Sequence, residues 1–272
     1  MVEVTKWDGR REPFQREKVE RTLLRLGAPP RLAERLSRKI EDEAYEGIST
    51  KEVLDRVYQA LEEYKPAVAL RKDLRTALGE MRSAPDFEEY VRIVLRAQGY
   101  RVHPNRIIQG LCVTHEVDGI AEKDGERIYL EVKHHRDPHN YTPFDVTLSA
   151  KAKLDDIREG LKRGLNNEPF DRVLIVCNTR LTEHARKYAD CIGIDHLGWN
   201  VPHGRGFERL IEEKRLYPVT ILRSLTEEEK GKLSEQGILT LEQLISRMER
   251  VDIPESRMSE LIDETKRILE QR

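Results

Sequence analysis

Hydrophobic positions change their period several times along this chain, and each change marks an element. Val2 and Val4 alternate with polar residues ahead of a turn at Asp8-Gly9. Val19, Leu23 and Leu26 then recur at helical spacing, which predicts a helix over about 15–26 that Gly27 stops. Pro29-Pro30 opens a second helix carrying Leu32, Leu36 and Ile40. Ser49 and Glu52 have capping-box spacing and start a third with Val53, Val57 and Leu61, and Pro66 permits a fourth to about Met81. Ser83-Ala84-Pro85-Asp86 restarts the pattern with a helix to Gln98, its inward residues Phe87, Val91, Val94 and Leu95. A strand at Tyr100–His103 precedes a hairpin, a polar loop and a long helix over about Val146–Leu165. A strand at Val173–Cys177, a helix capped by Thr182 and stopped at Gly193, and a strand at Ile194–Leu197 complete an α/β order whose helices can cover both faces of a sheet. From Val219 the texture changes to two short helices around Gln236-Gly237-Ile238 and a last helix from Pro254 carrying Met258, Leu261 and Ile262.

The most informative stretch is Thr114–His135, THEVDGIAEKDGERIYLEVKHH. Asp124-Gly125 between two alternating runs predicts a two-residue hairpin turn, because both central positions need positive φ. Lys123 then faces Glu126, and counting outward sets Asp118 opposite Glu131 and Glu116 opposite Lys133. Alternation puts Glu116, Asp118, Ile120, Tyr129, Glu131 and Lys133 on one face, expected to carry chemistry, and Val117, Gly119, Ala121, Ile128, Leu130 and Val132 on the other, expected to be core. Two carboxylates directly opposed repel each other unless a cation compensates them. Mg²⁺ takes one or two carboxylates and completes its octahedron with water and phosphate oxygens. Asp118 and Glu131 fit that donor set, the Val132 carbonyl can add a ligand, and Lys133 can orient a water and stabilise charge developing on phosphorus. The bare spacing also fits a solvated hairpin face with a Glu116–Lys133 ion pair.

Composition narrows the setting. The chain has 272 residues, enough for two or three domains, and 38% of them are hydrophobic against 36% charged. Mean hydropathy is -0.67. No apolar run reaches the length of a membrane span, and the charged start MVEVTKWDGRREPF is unlike a signal peptide, so a cytoplasmic protein with no membrane partner is expected. Cys112, Cys177 and Cys191 are too scattered for a zinc or redox pair and read as small buried hydrophobes. A net charge of -2 confines nucleic-acid binding to a local patch. Arg92, Arg96, Arg101, Arg106, Lys151 and Lys153 around the hairpin are the candidates for it. Of the histidines after the lysine, only His135 can share its face, as a phosphate contact or proton carrier.

Two stretches resemble known families. VTKWDGRREPFQREKV and GISTKEVLDRVYQAL resemble the ATP-cone, a small regulatory nucleotide-binding domain. The resemblance places Val4, Lys6, Glu12, Gln15, Lys18 and Thr50 at nucleotide contacts and implies ATP or dATP as a regulatory ligand, with Trp7 standing where the family commonly has Arg. No Gly-x-x-x-x-Gly-Lys-Ser/Thr motif is present, so nucleotide is expected as a signal and not as fuel. FEEYVRIVLRAQGYRV, EVDGIAEKDGERIYLEVKHH and VLIVCNTRLTEHARKYADCIGI resemble the restriction-endonuclease-like PD-(D/E)xK nucleases of the Mrr-like branch. That resemblance implies Asp118 and Glu131 as metal ligands, Lys133 as catalytic lysine and Glu88 as an accessory acid, with Glu116 and His135 beside them. SLTEEEKGKLSEQGILTLEQLI is similar to helix-hairpin-helix modules, though without their glycine-rich hairpin.

The expected architecture is α/β: a restriction-endonuclease-like mixed sheet flanked by helices over 83–215, after an ATP-cone over 1–82 and before a small helical module over 216–272. The expected function is a Mg²⁺- or Mn²⁺-dependent endonuclease acting on DNA, regulated by ATP or dATP, and a homodimer if both strands of a duplex are cut. A nucleotide-responsive DNA-binding regulator with a non-catalytic nuclease fold, and an RNA-processing nuclease, are the alternatives.

Overall fold

The structure is a computed structural model that describes residues 2–6, 9–26, 28–64 and 72–270. Trp7, the Asp8 half of the first turn, the Gly27 helix stop and the Pro66 helix start lie outside these residues. The chain forms two compact units, one of Met1–Lys72, Leu222–Leu225 and Pro254–Arg272, the other of Asp73–Ile221 and Thr226–Ile253. Of the stretch 216–272, Leu222–Leu225 and Pro254–Arg272 fall in the first unit and the rest in the second.

In chain order the first elements are β1 (Glu3–Thr5), β2 (Arg11–Pro13), α1 (Arg16–Arg25), α2 (Pro30–Asp42), β3 (Ile48–Ser49) and α3 (Thr50–Glu62). The Ser49 hydroxyl accepts from the Glu52 N–H, as the capping spacing predicts. Leu23, Ala33, Leu36, Ile40, Val57 and Leu61 interlock as the core of this unit. β3 runs parallel to β1, a pairing the sequence pattern did not disclose, because two residues are too few to show a period.

The central elements are α4 (Leu74–Gly79), α5 (Glu88–Ala97), β4 (Arg101–His103), β5 (Arg106–Gln109), β6 (Thr114–Val117), β7 (Gly119–Lys123), β8 (Glu126–Lys133), β9 (Tyr141–Thr142), α6 (Phe144–Lys162), β10 (Arg172–Cys177), β11 (Arg180–Leu181), α7 (Glu183–Ile192), β12 (Asp195–Leu197) and α8 (Phe207–Lys214). α9 (Glu227–Glu235), α10 (Leu241–Arg247) and α11 (Glu255–Leu269) follow. Asp73 caps α4, so the helix expected from Pro66 to Met81 is, among the described residues, a short one starting at Leu74. A five-stranded sheet runs β12-β10-β8-β7-β4, in which β12, β10 and β8 are mutually parallel and β7 and β4 antiparallel. α6 and α7 cover one face, where Ala150, Leu154, Ile157, Ala185 and Ala189 meet Ile120, Tyr129, Val173 and Ile175. No helix among the described residues is long and apolar enough to cross a membrane.

The hairpin turns at Asp124 (φ 54°) and Gly125 (φ 85°), and Lys123 pairs with Glu126 as the turn type requires. Two expectations are corrected. The face expected to carry only chemistry is largely core: Ile120 and Tyr129 are buried, and so are Ile128, Leu130 and Val132 on the opposite face. The reason is that β8 is an inner strand paired on both sides, and such strands are covered on both faces. Glu116 does not face Lys133; it pairs with Ile107, since the chain leaves the β7–β8 ladder at Asp118 and β6 turns to β5. The ladder ends there because the Val132 N–H donates to the Asp118 carboxylate at 2.6 Å, while the Asp118 carbonyl accepts from Arg92 at 2.6 Å.

Candidate active site

Asp118 stands at the break between β6 and β7, and Glu131 and Lys133 at the carboxyl end of β8. Glu131 is 3% exposed. One of its oxygens lies 2.8 Å from Lys133 Nζ, the other 3.0 Å from Lys153 Nζ on α6, and the Tyr129 hydroxyl donates to it. Burial opposes ionisation of Glu131, but the charge and hydrogen bond of Lys133, the Tyr129 hydroxyl and Lys153 outweigh it and hold the carboxyl below its ordinary value. Among the described residues Asp118 has no ion-pair partner of this kind. Burial raises its carboxyl, the Val132 amide opposes the rise, and the charge of Glu131 adds to it. Glu88 on α5 is raised by burial and by Asp118, with Glu116 also contributing. Lys133 is held protonated: burial opposes its charge, and Glu131, Asp118 and Glu88 overcome the opposition.

The fold therefore brings Glu88, Glu116, Asp118, Glu131 and Lys133 within electrostatic reach of one another. Glu116 contributes from the exposed rim, where it accepts from Asn105 at 3.0 Å. His135 lies past the end of β8, with its ring nitrogen 3.0 Å from the Thr142 hydroxyl and its backbone held at both ends by Asn178. His134 is engaged by Ser83 and the Leu78 carbonyl.

Lys153 was read only as part of a basic rim; the structure makes it the second cation on Glu131. Its place three residues after buried Ala150 and one before buried Leu154 is the signal that could have shown it turned inward. The rest of that rim is corrected. Arg92 is buried and pairs with Glu89; Arg96 pairs with Glu89, Arg101 with Glu122, Arg106 with Glu168 and Lys151 with Asp155. In a chain with as many acids as bases, surface cations find intramolecular partners before they can form a uniform patch.

Among the described residues no three His, Cys, Asp or Glu side chains converge as a ready-made metal cage. Asp118 and Glu131 nevertheless fit a hard divalent cation. Mg²⁺ uses few protein oxygens and many waters, and the Asp118 and Glu88 carboxyls are raised first by burial and then by neighbouring carboxylates, both of which a bound cation would offset.

In the N-terminal unit the structure collects the six expected nucleotide contacts around the small sheet. Val4 pairs with Glu12 and with Ile48. Glu12 takes Lys6 at 3.2 Å and Lys18 at 3.5 Å, and these lysines, Lys6 first, lower its carboxyl. Gln15 occupies the N-cap position of α1 without a side-chain capping bond, and the Thr50 hydroxyl donates to the Thr5 carbonyl at 3.3 Å.

Residues 2–74 match the ATP cone domain, residues 80–195 the family described as restriction endonuclease, and residues 217–269 the AF1548-like C-terminal family. An uncharacterized protein of Archaeoglobus fulgidus is 34% identical over 180 residues, 65% of this chain and 98% of that protein. A crystal structure of a protein of unknown function, AF1548, superposes with a TM-score of 0.57 at 31% identity, covering 72% of this chain and 98% of that one. The chain belongs to the AF1548-like family and joins an ATP-cone domain to a restriction-endonuclease-like domain.

Proposed function

We propose that the protein is a metal-dependent endonuclease that hydrolyses DNA phosphodiester bonds and is regulated by ATP or dATP bound to the ATP-cone. The observation that carries the reading is the Asp118–Glu131–Lys133 constellation, two carboxylates within electrostatic reach of each other and an ammonium at the end of β8, in a domain of restriction-endonuclease type. In this reading Asp118 and Glu131, with the Val132 carbonyl, hold Mg²⁺ or Mn²⁺. When bound, the cation supplies Lewis-acid polarisation of a phosphoryl oxygen and lowers the pKa of water. Lys133 keeps its proton beside Glu131, so its role is to position the attacking water and to offset negative charge growing on phosphorus. Lys153 fixes the second oxygen of Glu131 and so sets the direction in which that carboxylate points. Glu88, whose carboxyl is raised by burial and by Asp118, would exchange a proton at the edge of the site.

A second reading, a nucleotide-responsive DNA-binding regulator, draws on one observation: two lysines already neutralise Glu131. Incubating the full chain with plasmid and Mg²⁺ or Mn²⁺, with and without ATP, separates the two. The nuclease reading predicts nicking that Asp118→Ala and Lys133→Ala each reduce by about 10²-fold or more while the far-ultraviolet spectrum is retained. Binding without nicking under every metal gives the molecule to the regulator.

A further inference from the structure

The carboxyl ends of β8, β10 and β12 point the same way, and in open α/β sheets that is where ligands gather. Beyond Lys133 on this edge lie two arginines that neither the nuclease constellation nor the sequence motifs use. Arg180 on β11 is the cross-strand partner of Tyr141 on β9. Its Nε–H donates to the Trp199 carbonyl at 2.7 Å. Arg75 lies over the Trp199 ring, its guanidinium carbon 5.5 Å from the ring centroid. Trp199 is 8% exposed and tied by its N–H to the Thr179 carbonyl, so one buried indole residue holds both guanidinium groups.

These charges are poorly compensated. Arg75 Nε is buried and has no hydrogen-bond partner, and neither arginine is ion-paired to a carboxylate among the described residues. Burial and then the repulsion of Arg180 lower the Arg75 guanidinium, and the attraction of Asp73, Tyr141 and Asp137 only offsets part of this. Among the described residues neither acid is ion-paired with the guanidinium: Asp73 accepts from the Arg75 and Thr76 backbone N–H groups, and Asp137 from the His139 N–H. On the far side of Arg180, His196 is partly buried, and burial with the charges of Arg180 and Arg186 pushes it down to about 4, so it is neutral and brings no negative charge. Holding two like-charged, part-buried guanidinium groups together costs free energy that a bound anion returns. Arginine pairs match the oxygens of phosphate in particular, because the planar fork donates two parallel hydrogen bonds. Tyr141 stands half-exposed beside Arg180, an aromatic surface at the mouth of the cluster.

We propose that Arg75 and Arg180, bridged by Trp199, form an anion site that takes a backbone phosphate of the nucleic acid beside the one held at Asp118 and Glu131. The assignment rests on the nuclease-domain reading, and its test needs no cleavage. The full chain is titrated with a labelled DNA duplex in EDTA across a salt series, as wild type, Arg75→Gln, Arg180→Gln and the control Arg163→Gln on the exposed end of α6. Each of the two site variants is expected to weaken binding by about tenfold and to lower the slope of log affinity against log salt by about one, with the control unchanged. In parallel, inorganic phosphate at matched ionic strength raises the thermal midpoint of wild type above that in chloride, and does not do so for the site variants. Should Arg75→Gln fail to fold, Arg180→Gln and Arg180→Lys carry the test from the other side of Trp199. Loss of the phosphate effect with intact DNA affinity overturns the nucleic-acid assignment and leaves a small-anion site. Unchanged DNA binding and unchanged phosphate response in folded variants overturn the site itself. Failed cleavage with intact salt slopes instead counts against the nuclease reading alone.

Discussion

Asp118 and Glu131 are close in space and opposite in condition, and the difference is a matter of partners. Glu131 has two ammonium groups and a phenol, so it is ionised in spite of burial, whereas Asp118 has a single amide and is pushed up by desolvation. A carboxyl raised in the folded state holds its proton to a higher pH than the unfolded chain does. The stability it contributes is therefore complete below the ordinary carboxylate range and lost as pH rises through the folded value. Above the folded value the ionised Asp118 is a burden on the metal-free protein. Asp118→Asn, which keeps an oxygen for the Val132 N–H, is expected to raise the metal-free thermal midpoint at pH 7 by on the order of 2–4 °C, the shift that about 1 kcal/mol makes in a domain of this size. The gain is expected to vanish in acid, where the wild-type carboxyl is itself neutral; scanning calorimetry at both pH values measures it, and an equal gain at both would contradict the assignment. At this scale the sequence disclosed residue types and their order. Lys153 and Arg92 became legible as parts of the site only once α6 and α5 were laid against the sheet, because a helical lysine or arginine in a chain so rich in charge has no local mark of its partner.

Among the elements, the β7–β8 hairpin is the one that local chemistry dictates. Gly125 has φ 85°, and a Cβ built there meets nothing within 4 Å, so the only penalty for a side chain is backbone strain. Gly125→Ala is expected to cost about 1–2 kcal/mol. Urea unfolding should show it as a lower midpoint at unchanged slope, and no change in midpoint would remove the turn from the account. The β5–β6 hairpin was not legible, because its loop, Gly110–Val113, is organised from outside. The Asp156 carboxylate on α6 accepts from the Cys112 and Val113 amides and lies 2.7 Å from His115 Nε2. The Cys112 amide first, then the His115 and Val113 bonds, hold that carboxyl down to about 2 in spite of burial. A lowered carboxyl contributes stability that is present above the ordinary carboxylate range, about 4, and lost as pH falls through the folded value. Asp156→Asn is expected to speed hydrogen exchange at Cys112 and Val113 at neutral pH and to leave the β7–β8 hairpin amides unaffected; uniform exchange rates in the two proteins would rule out the clamp.

For the whole molecule, the function proposed above joins a nucleotide signal to phosphodiester chemistry. Lys18 and Lys6 share Glu12 in the N-terminal unit, so the basic groups are oriented before any phosphate arrives. On that reading Lys18→Ala should weaken adenine-nucleotide binding by about tenfold or more, the loss of one charged hydrogen bond, and calorimetry with ATP and dATP measures it. Absence of binding by wild type would remove the regulatory proposal and leave the nuclease proposal standing. Local sequence alone determined the helices of the N-terminal unit, the Asp-Gly turn and the register that follows from it as far as Gly119 opposite Leu130. Those features rest on periodicity, capping and positive φ, which act over a few residues. Tertiary structure alone decided that the ladder stops at Asp118, that Glu116 turns to β5, that α6 sends Lys153 onto Glu131, and that the last helices divide between two units. These are choices between partners far apart in the chain, made by burial and by the need of each buried charge for a counter-charge, and no short window of sequence records which partner wins.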